Sequence, residues 1–148
     1  METIIRFDKV NFTFDELKTI LDEVTFSVRK GMKVALMGQN GAGKSTIFKL
    51  MTGDLKPESG TVSVDKRLTV ATAHQVIAEE DKKLTIEEYF HKNWEGEIYE
   101  LKSKISAVLD VVNLKVPADK PIHTFSGGQQ ARLLLASALI QDPDLLLL

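Results

Sequence analysis

"GQNGAGKST", residues 38–46, is the stretch on which the fold turns. It satisfies G-x-x-x-x-G-K-[ST], and it lies between the apolar run "KVALMG" at 33–38 and a helically spaced run holding Ile47, Phe48, Leu50 and Met51. Strand, glycine-rich loop and helix in that order make a phosphate cradle. Glycines at Gly38, Gly41 and Gly43 let the backbone fold closely round β- and γ-phosphates so that its N–H groups can donate to them. Lys44 would set a point charge on those phosphates, Ser45 would offer its hydroxyl to Mg²⁺, and the helix N-terminus would add its partial positive charge. A bare strand-to-helix turn explains the pattern less well, because the motif and its context agree.

Outward from the loop, alternating apolar positions in "IIRFDKVNFTF" (4–14) and "ILDEVTFSV" (20–28) predict two strands joined at "DELK", an antiparallel pair. "KVALMG", nearly continuous and apolar, predicts a strand covered on both faces. The helix after the loop should stop at Gly53, with Pro57 as a second breaker. "SGTVSV" (59–64) and "RLTVATAHQ" (67–75) predict two more strands about a turn at Asp65-Lys66. The character then changes. "AEEDKK" (78–83) reads as a solvated charge run, and Thr85 with Glu88 has capping-box spacing. Leu101, Ile105, Val108, Leu109 and Val112 predict an amphipathic helix over 97–112, broken by "KVPADKP". The organisation is α/β: one domain over 1–148, with a mostly helical insert at about 78–125.

The composition of 148 residues, with 19 basic and 21 acidic side chains, gives no net field that favours nucleic acid or a membrane surface. The chain has no cysteine, which excludes disulfides and thiolate chemistry and fits a cytoplasmic setting. No apolar run approaches the roughly 20 residues of a membrane span, so no direct membrane insertion is expected. His74, His91 and His123 lack metal-ligand spacing, Trp94 reads as a helix-end packing residue, and residues 115–120 read as a linker.

"FSGGQQ", residues 125–130, is the second unusual glycine pair. Ser126 and Gln129 have capping-box spacing, so Ser126 should cap a helix running through Ile140. Two readings are open: a plain helix start built from small residues, or a helix N-terminus left bare for a phosphate. Adjacent glycines are poor helix formers, which favours the second.

The combination of "GQNGAGKST", the glutamine of "TAHQ", "SGGQQ" opening a helix, and "DPDLLLL" at 142–148 resembles the nucleotide-binding domain of the ATP-binding cassette (ABC) ATPases. The resemblance covers essentially the whole chain. It implies a P-loop NTPase fold with an N-terminal antiparallel β element and a helical insert bearing the signature motif, and it implies ATP and Mg²⁺ as ligands. Gly38, Asn40, Gly41, Ala42, Gly43, Lys44, Ser45 and Thr46 match the Walker A loop. Gln75 matches the glutamine that in the family helps bind Mg²⁺ and the attacking water. Ser126, Gly127, Gly128 and Gln129 match the signature that in the family contacts the γ-phosphate held by the opposite cassette of a head-to-tail pair, so a second cassette is the expected partner. Phe14 falls where the family stacks an aromatic on adenine, with Phe12 as its competitor. Phe125 stands where leucine is commoner.

Gly60 to Gln75 spans only 15 residues, and the segment after Gln75 is charged. A transporter cassette needs apolar anchors near there for a membrane-subunit helix. The pattern therefore looks like the soluble ABC-F class, which acts on the ribosome; the alternatives are the nucleotide-binding subunit of a membrane transporter and a binding-only cassette. "DPDLLLL" resembles the start of a Walker B strand, after which the family carries an aspartate and a glutamate. The chain ends before them, so the resemblance implies a C-terminally incomplete cassette that binds ATP weakly, hydrolyses it poorly and self-associates through an open sheet edge.

Overall fold

The computed structural model describes every residue except Met1, Glu16, Leu17 and Glu95. Two compact units divide the chain, Met1–Arg67 and Leu68–Leu148.

In the first unit β1 (Thr3–Phe14), β2 (Lys18–Arg29) and β3 (Ser59–Val64) form one antiparallel sheet in the order β2-β1-β3, and α1 (Lys44–Thr52) lies between β2 and β3 in sequence. The antiparallel pair expected at the N-terminus is present. Of its connecting turn, Glu16 and Leu17 lie outside the described residues. β1 buries Ile5, Phe7, Val10 and Phe12, a set that strict alternation cannot place on one face, because Phe7 and Val10 are three apart. A bulge resolves the conflict. Phe7 pairs with Phe26 and Val10 with Val24, so β1 advances three residues while β2 advances two, and Lys9 takes φ 48° within the bulge. Gly60 on β3 fits this irregularity: a Cβ there would sit 2.2 Å from the Lys9 carbonyl oxygen, and its φ is 80°. Phe7 and Phe26 stack with ring centroids 4.5 Å apart. Asn11 ties all three strands, its Oδ1 accepting from the Glu23 N–H at 2.8 Å and its Nδ2 donating to Ser59 Oγ at 2.9 Å.

One expectation fails. Residues 33–40 form no strand, and Val34, Leu36 and Met37 are 60%, 39% and 89% exposed. A strand is held by its ladder, and within this unit β1, β2 and β3 pair only with one another. Among the described residues of this unit the apolar run therefore has no ladder partner, and it stays exposed.

In the second unit β4 (Val70–Thr72) and β5 (Leu145–Leu147) pair in parallel, joined by α2 (Ile86–Asn93), α3 (Ile98–Val111), a 3₁₀ turn at Ile122–Thr124 and α4 (Gly127–Leu139). β4 is shorter than the strand expected over 67–75, and of the terminal leucines only Leu147 is buried, Leu148 being 72% exposed. Thr85 caps α2 with a full capping box, its hydroxyl accepting from the Glu88 N–H while the Glu88 carboxylate accepts from the Thr85 N–H at 2.8 Å. The Thr85 N–H, and after it the Thr85 hydroxyl at 3.0 Å, donate to that carboxylate and hold it below its ordinary range. Phe90, Leu101, Ile122 and Leu133 are the fully covered centre of a core that also takes Ile77, Ile86, Phe125, Leu134 and Ile140, with Trp94 packed at its margin. The charge run at 78–83 is not uniformly solvated: Asp81 is buried and pairs with Lys92 of α2. Helix α2 brings a cation over that carboxylate, and a run read residue by residue does not show it.

Two outcomes follow from the packing. Phe90→Ala should destabilise the second unit by about 3–5 kcal/mol, against about 1 kcal/mol for Thr85→Ala, both read from denaturant midpoints; equal effects would refute the assigned core centre. In the first unit the Arg67 guanidinium meets Asp65 at 2.6 and 3.0 Å and also pairs with Glu2. The Arg67 guanidinium, and after it the Arg67 backbone N–H at 3.0 Å, donate to Asp65 and lower its carboxyl pKa from 3.8 to about 2. A depressed folded value means stability present above pH about 4 and lost as pH falls toward about 2. Melting of wild type and Asp65→Asn compared over that window should converge as pH falls, and a constant gap would contradict the assignment.

Candidate functional site

The loop at 38–46 is shaped by where β2 runs. Gly43, the residue before α1, adopts φ 99°, a left-handed conformation, and a Cβ on it would lie 2.6 Å from Ile20 Cγ2 and 3.4 Å from Leu21 Cδ2. Both the dihedral and the space demand glycine. Gly41 is also left-handed, at φ 82°, and a Cβ at Gly38 would press on the Ala42 Cβ at 3.3 Å. The Ala42 N–H donates to the Gln39 carbonyl at 3.1 Å, and the helix proper opens with the Ile47 N–H on the Gly43 carbonyl at 3.0 Å.

No side chain caps α1, so its first N–H groups are left for a ligand or water. Gln39, Asn40, Gly41, Ala42 and Ser45 are exposed, whereas Thr46 is 7% exposed and turned into the unit with Ile47 and Leu50. Thr46 thus anchors the helix, and only its backbone is placed to serve the loop. The Lys44 ammonium folds back onto the carbonyl oxygens of Gly38 and Gln39. The loop carries a cation, an open helix N-terminus and a backbone that no side chain obstructs. Such an arrangement suits an anion.

Phe12 and Phe14 stand on one strand, with centroids 5.6 Å apart and planes at 74°. Phe12 is 9% exposed and belongs to the core; Phe14 is 48% exposed and keeps a free face. Of the two, only Phe14 can offer a stacking surface.

In the second unit Ser126 caps α4 as its spacing predicts, accepting from the Gln129 N–H at 3.2 Å while Gln129 Oε1 accepts from the Ser126 N–H at 2.9 Å. Gln130 Nε2 donates to the Phe125 carbonyl at 3.1 Å, and buried Phe125 pins the turn to the core. A Cβ on Gly127 or Gly128 would meet nothing within 4 Å, and neither has a positive φ. Packing in this chain therefore gives no reason for the two glycines. Gln75 is exposed in a bend three residues past β4, not on the strand itself, and Val76 beside it is 73% exposed. Sequence reasoning missed that exposed apolar residue, and it also missed Lys18 and Ile20, which flank the loop from β2; their alternate spacing was the available signal.

Among the described residues no three His, Asp or Glu gather to hold a metal, and no helix is long and apolar enough to cross a membrane. The family model for the ABC transporter family matches residues 21–148. The zinc import ATP-binding protein ZnuC of Vibrio vulnificus (strain YJ016) is 36% identical over all 148 residues, which span 55% of that protein. The energy-coupling factor transporter ATP-binding protein EcfA1 of Leuconostoc mesenteroides is 33% identical, again over the full chain, which spans 59% of it. The chain thus covers little more than half the length of these relatives. Among solved structures, MJ1267, an ATP-binding cassette of an ABC transporter, superposes with a TM-score of 0.81 at 25% identity, over 99% of this chain and 68% of that one. The fold of cbiO1 from Clostridium perfringens matches at 0.79, with 22% identity, 99% coverage of this chain and 64% of that one. The relatives are named as ATP-binding proteins of zinc import and of an energy-coupling factor transporter, which favours the transporter alternative over the ABC-F reading and gives the ribosome no support as a partner. The chain belongs to the ABC transporter family, as an ATP-binding cassette.

Proposed function

We propose that the chain binds MgATP at residues 38–46 and serves as the nucleotide-binding part of a transporter energised by ATP. The observation that carries this reading is the loop itself: a left-handed Gly43 wedged against Ile20, an uncapped helix behind it and Lys44 at its mouth. The backbone N–H groups of residues 40–46, other than that of Ala42, which donates to Gln39, would hold the phosphates, with Lys44 leaving its two carbonyl partners to neutralise charge. The exposed Ser45 hydroxyl and the phosphate oxygens would hold Mg²⁺, which when bound supplies charge neutralisation of the phosphates. The free face of Phe14 would stack on the base.

In the second unit, Gln75 would serve the metal and the attacking water, and Ser126, Gly127, Gly128 and Gln129 would contact the nucleotide of a second cassette. The bare glycines at 127 and 128 support that role, because a partner's phosphate needs the space they leave. Residues 78–125 would act as the helical subdomain. Exposed Val76 is the apolar anchor that a membrane subunit requires, and the cytoplasmic face of a membrane is the fitting location.

Titration calorimetry of the 148-residue chain with MgATP tests the loop. Lys44→Ala should weaken binding at least about tenfold while leaving thermal melting near wild type, since the side chain bonds only the loop. Gly43→Ala should lose both binding and stability, by about 1–3 kcal/mol for the strained dihedral before any clash is counted. Unchanged affinity in Lys44→Ala would remove the phosphate site from this loop.

A further inference from the structure

Two residues on one face of β2 meet two glycines of the loop. Ile20 packs where a Gly43 side chain would be, and Lys18, one alternation earlier on the same face, brings Nζ to 4.0 Å from where a Gly41 Cβ would be. Ile20 and Gly43 thereby fix the distance between strand and loop, and Lys18 is delivered to the loop by the strand's own repeat. The register sets Lys18 opposite Phe14, so the two exposed residues are cross-strand neighbours. Lys18 is exposed and makes no ion pair among the described residues. Its charge is held next to left-handed Gly41, and among the described residues no carboxylate pairs with it.

We infer that Lys18 is a second cationic contact for the polyphosphate of the bound nucleotide, acting from β2 across Gly41, and that it biases the loop toward ligands with more phosphates. The inference rests on the nucleotide-binding reading above and adds a residue outside the loop motif. Lys44 comes from within the loop, whereas Lys18 approaches from the strand that supports it. A lysine is suited to this, being a compact point charge on a flexible stem that can follow a phosphate chain. Because the contact is exposed, its strength should be modest and sensitive to salt.

The test is calorimetry of the whole chain with MgATP, ADP and AMP, at low salt and at about 0.5 M salt. Lys18→Gln should weaken MgATP binding roughly two- to fivefold at low salt, weaken ADP less and leave AMP unchanged, with the difference shrinking at high salt. Lys18→Arg should keep most of the wild-type affinity, and both variants should melt as wild type does. Equal loss for ATP and AMP, or no loss with either, overturns the assignment. Wild-type chain that binds no MgATP sinks the nucleotide reading and this inference together; wild-type binding that Lys44→Ala loses and Lys18→Gln keeps sinks this inference alone.

Discussion

The packing of Gly43 against Ile20 is the constraint on which the first unit depends. A loop that must present backbone N–H groups outward needs something rigid behind it, and here that support is a side chain of β2 in the space a Cβ would need. β2 in turn is held by its ladder to β1, and β1 by its ladder to β3, with Asn11 bonded to both neighbours. The left-handed dihedral at Gly43 is strained for any other residue, so the contact and the conformation select glycine independently. The bulge at Lys9 belongs to the same chain of dependence. Without it Val10 and Phe12 would turn out of the core face, and the β1–β2 register that sets Lys18 opposite Phe14 would shift.

The second unit solves a related problem without strain. Helix α4 begins at two glycines, which are unfavourable helix formers, yet its start is fixed by a reciprocal capping box and by buried Phe125 just before it. Leu133, Leu134, Ala136 and Ala138 then commit one face of the helix to burial. Stability is supplied by the cap and the buried face, and the two residues between them are left free of packing duty. This separation leaves the helix N-terminus uncovered while the cap and the buried face offset the cost of its two glycines.

Much of this was legible in the sequence because it is written locally. The caps at Thr85 and Ser126, the helix over 98–111 and the stop at Gly53 each depend on residues within a turn or two of one another. What was not legible depends on partners far along the chain. "KVALMG" has the composition of a covered strand, but a strand exists only through its neighbours, and no ladder in its unit reaches residues 33–40. Asp81 reads as one charge in a solvated run until α2 sets Lys92 beside it. Phe12 and Phe14 are equivalent in a strand pattern, and only the burial of the first separates them. Lys18 stands 20 residues before the start of the loop in sequence and beside Gly41 in space.

Lys44 shows why the loop's affinity cannot be taken from its charge alone. Its ammonium is already satisfied by the carbonyls of Gly38 and Gln39, so a phosphate must replace those bonds before it gains the ion pair. What binding gains is the difference between a charge-assisted bond to phosphate and two bonds to carbonyl oxygens, less the desolvation of both ions. The same internal bonds also hold the lysine in place before any ligand arrives, lowering the side-chain entropy that binding would otherwise remove. A loop that pre-pairs its cation in this way trades some raw attraction for order. The discrimination between anions is then left to those groups, such as the uncapped N–H groups of α1, that have no partner to give up.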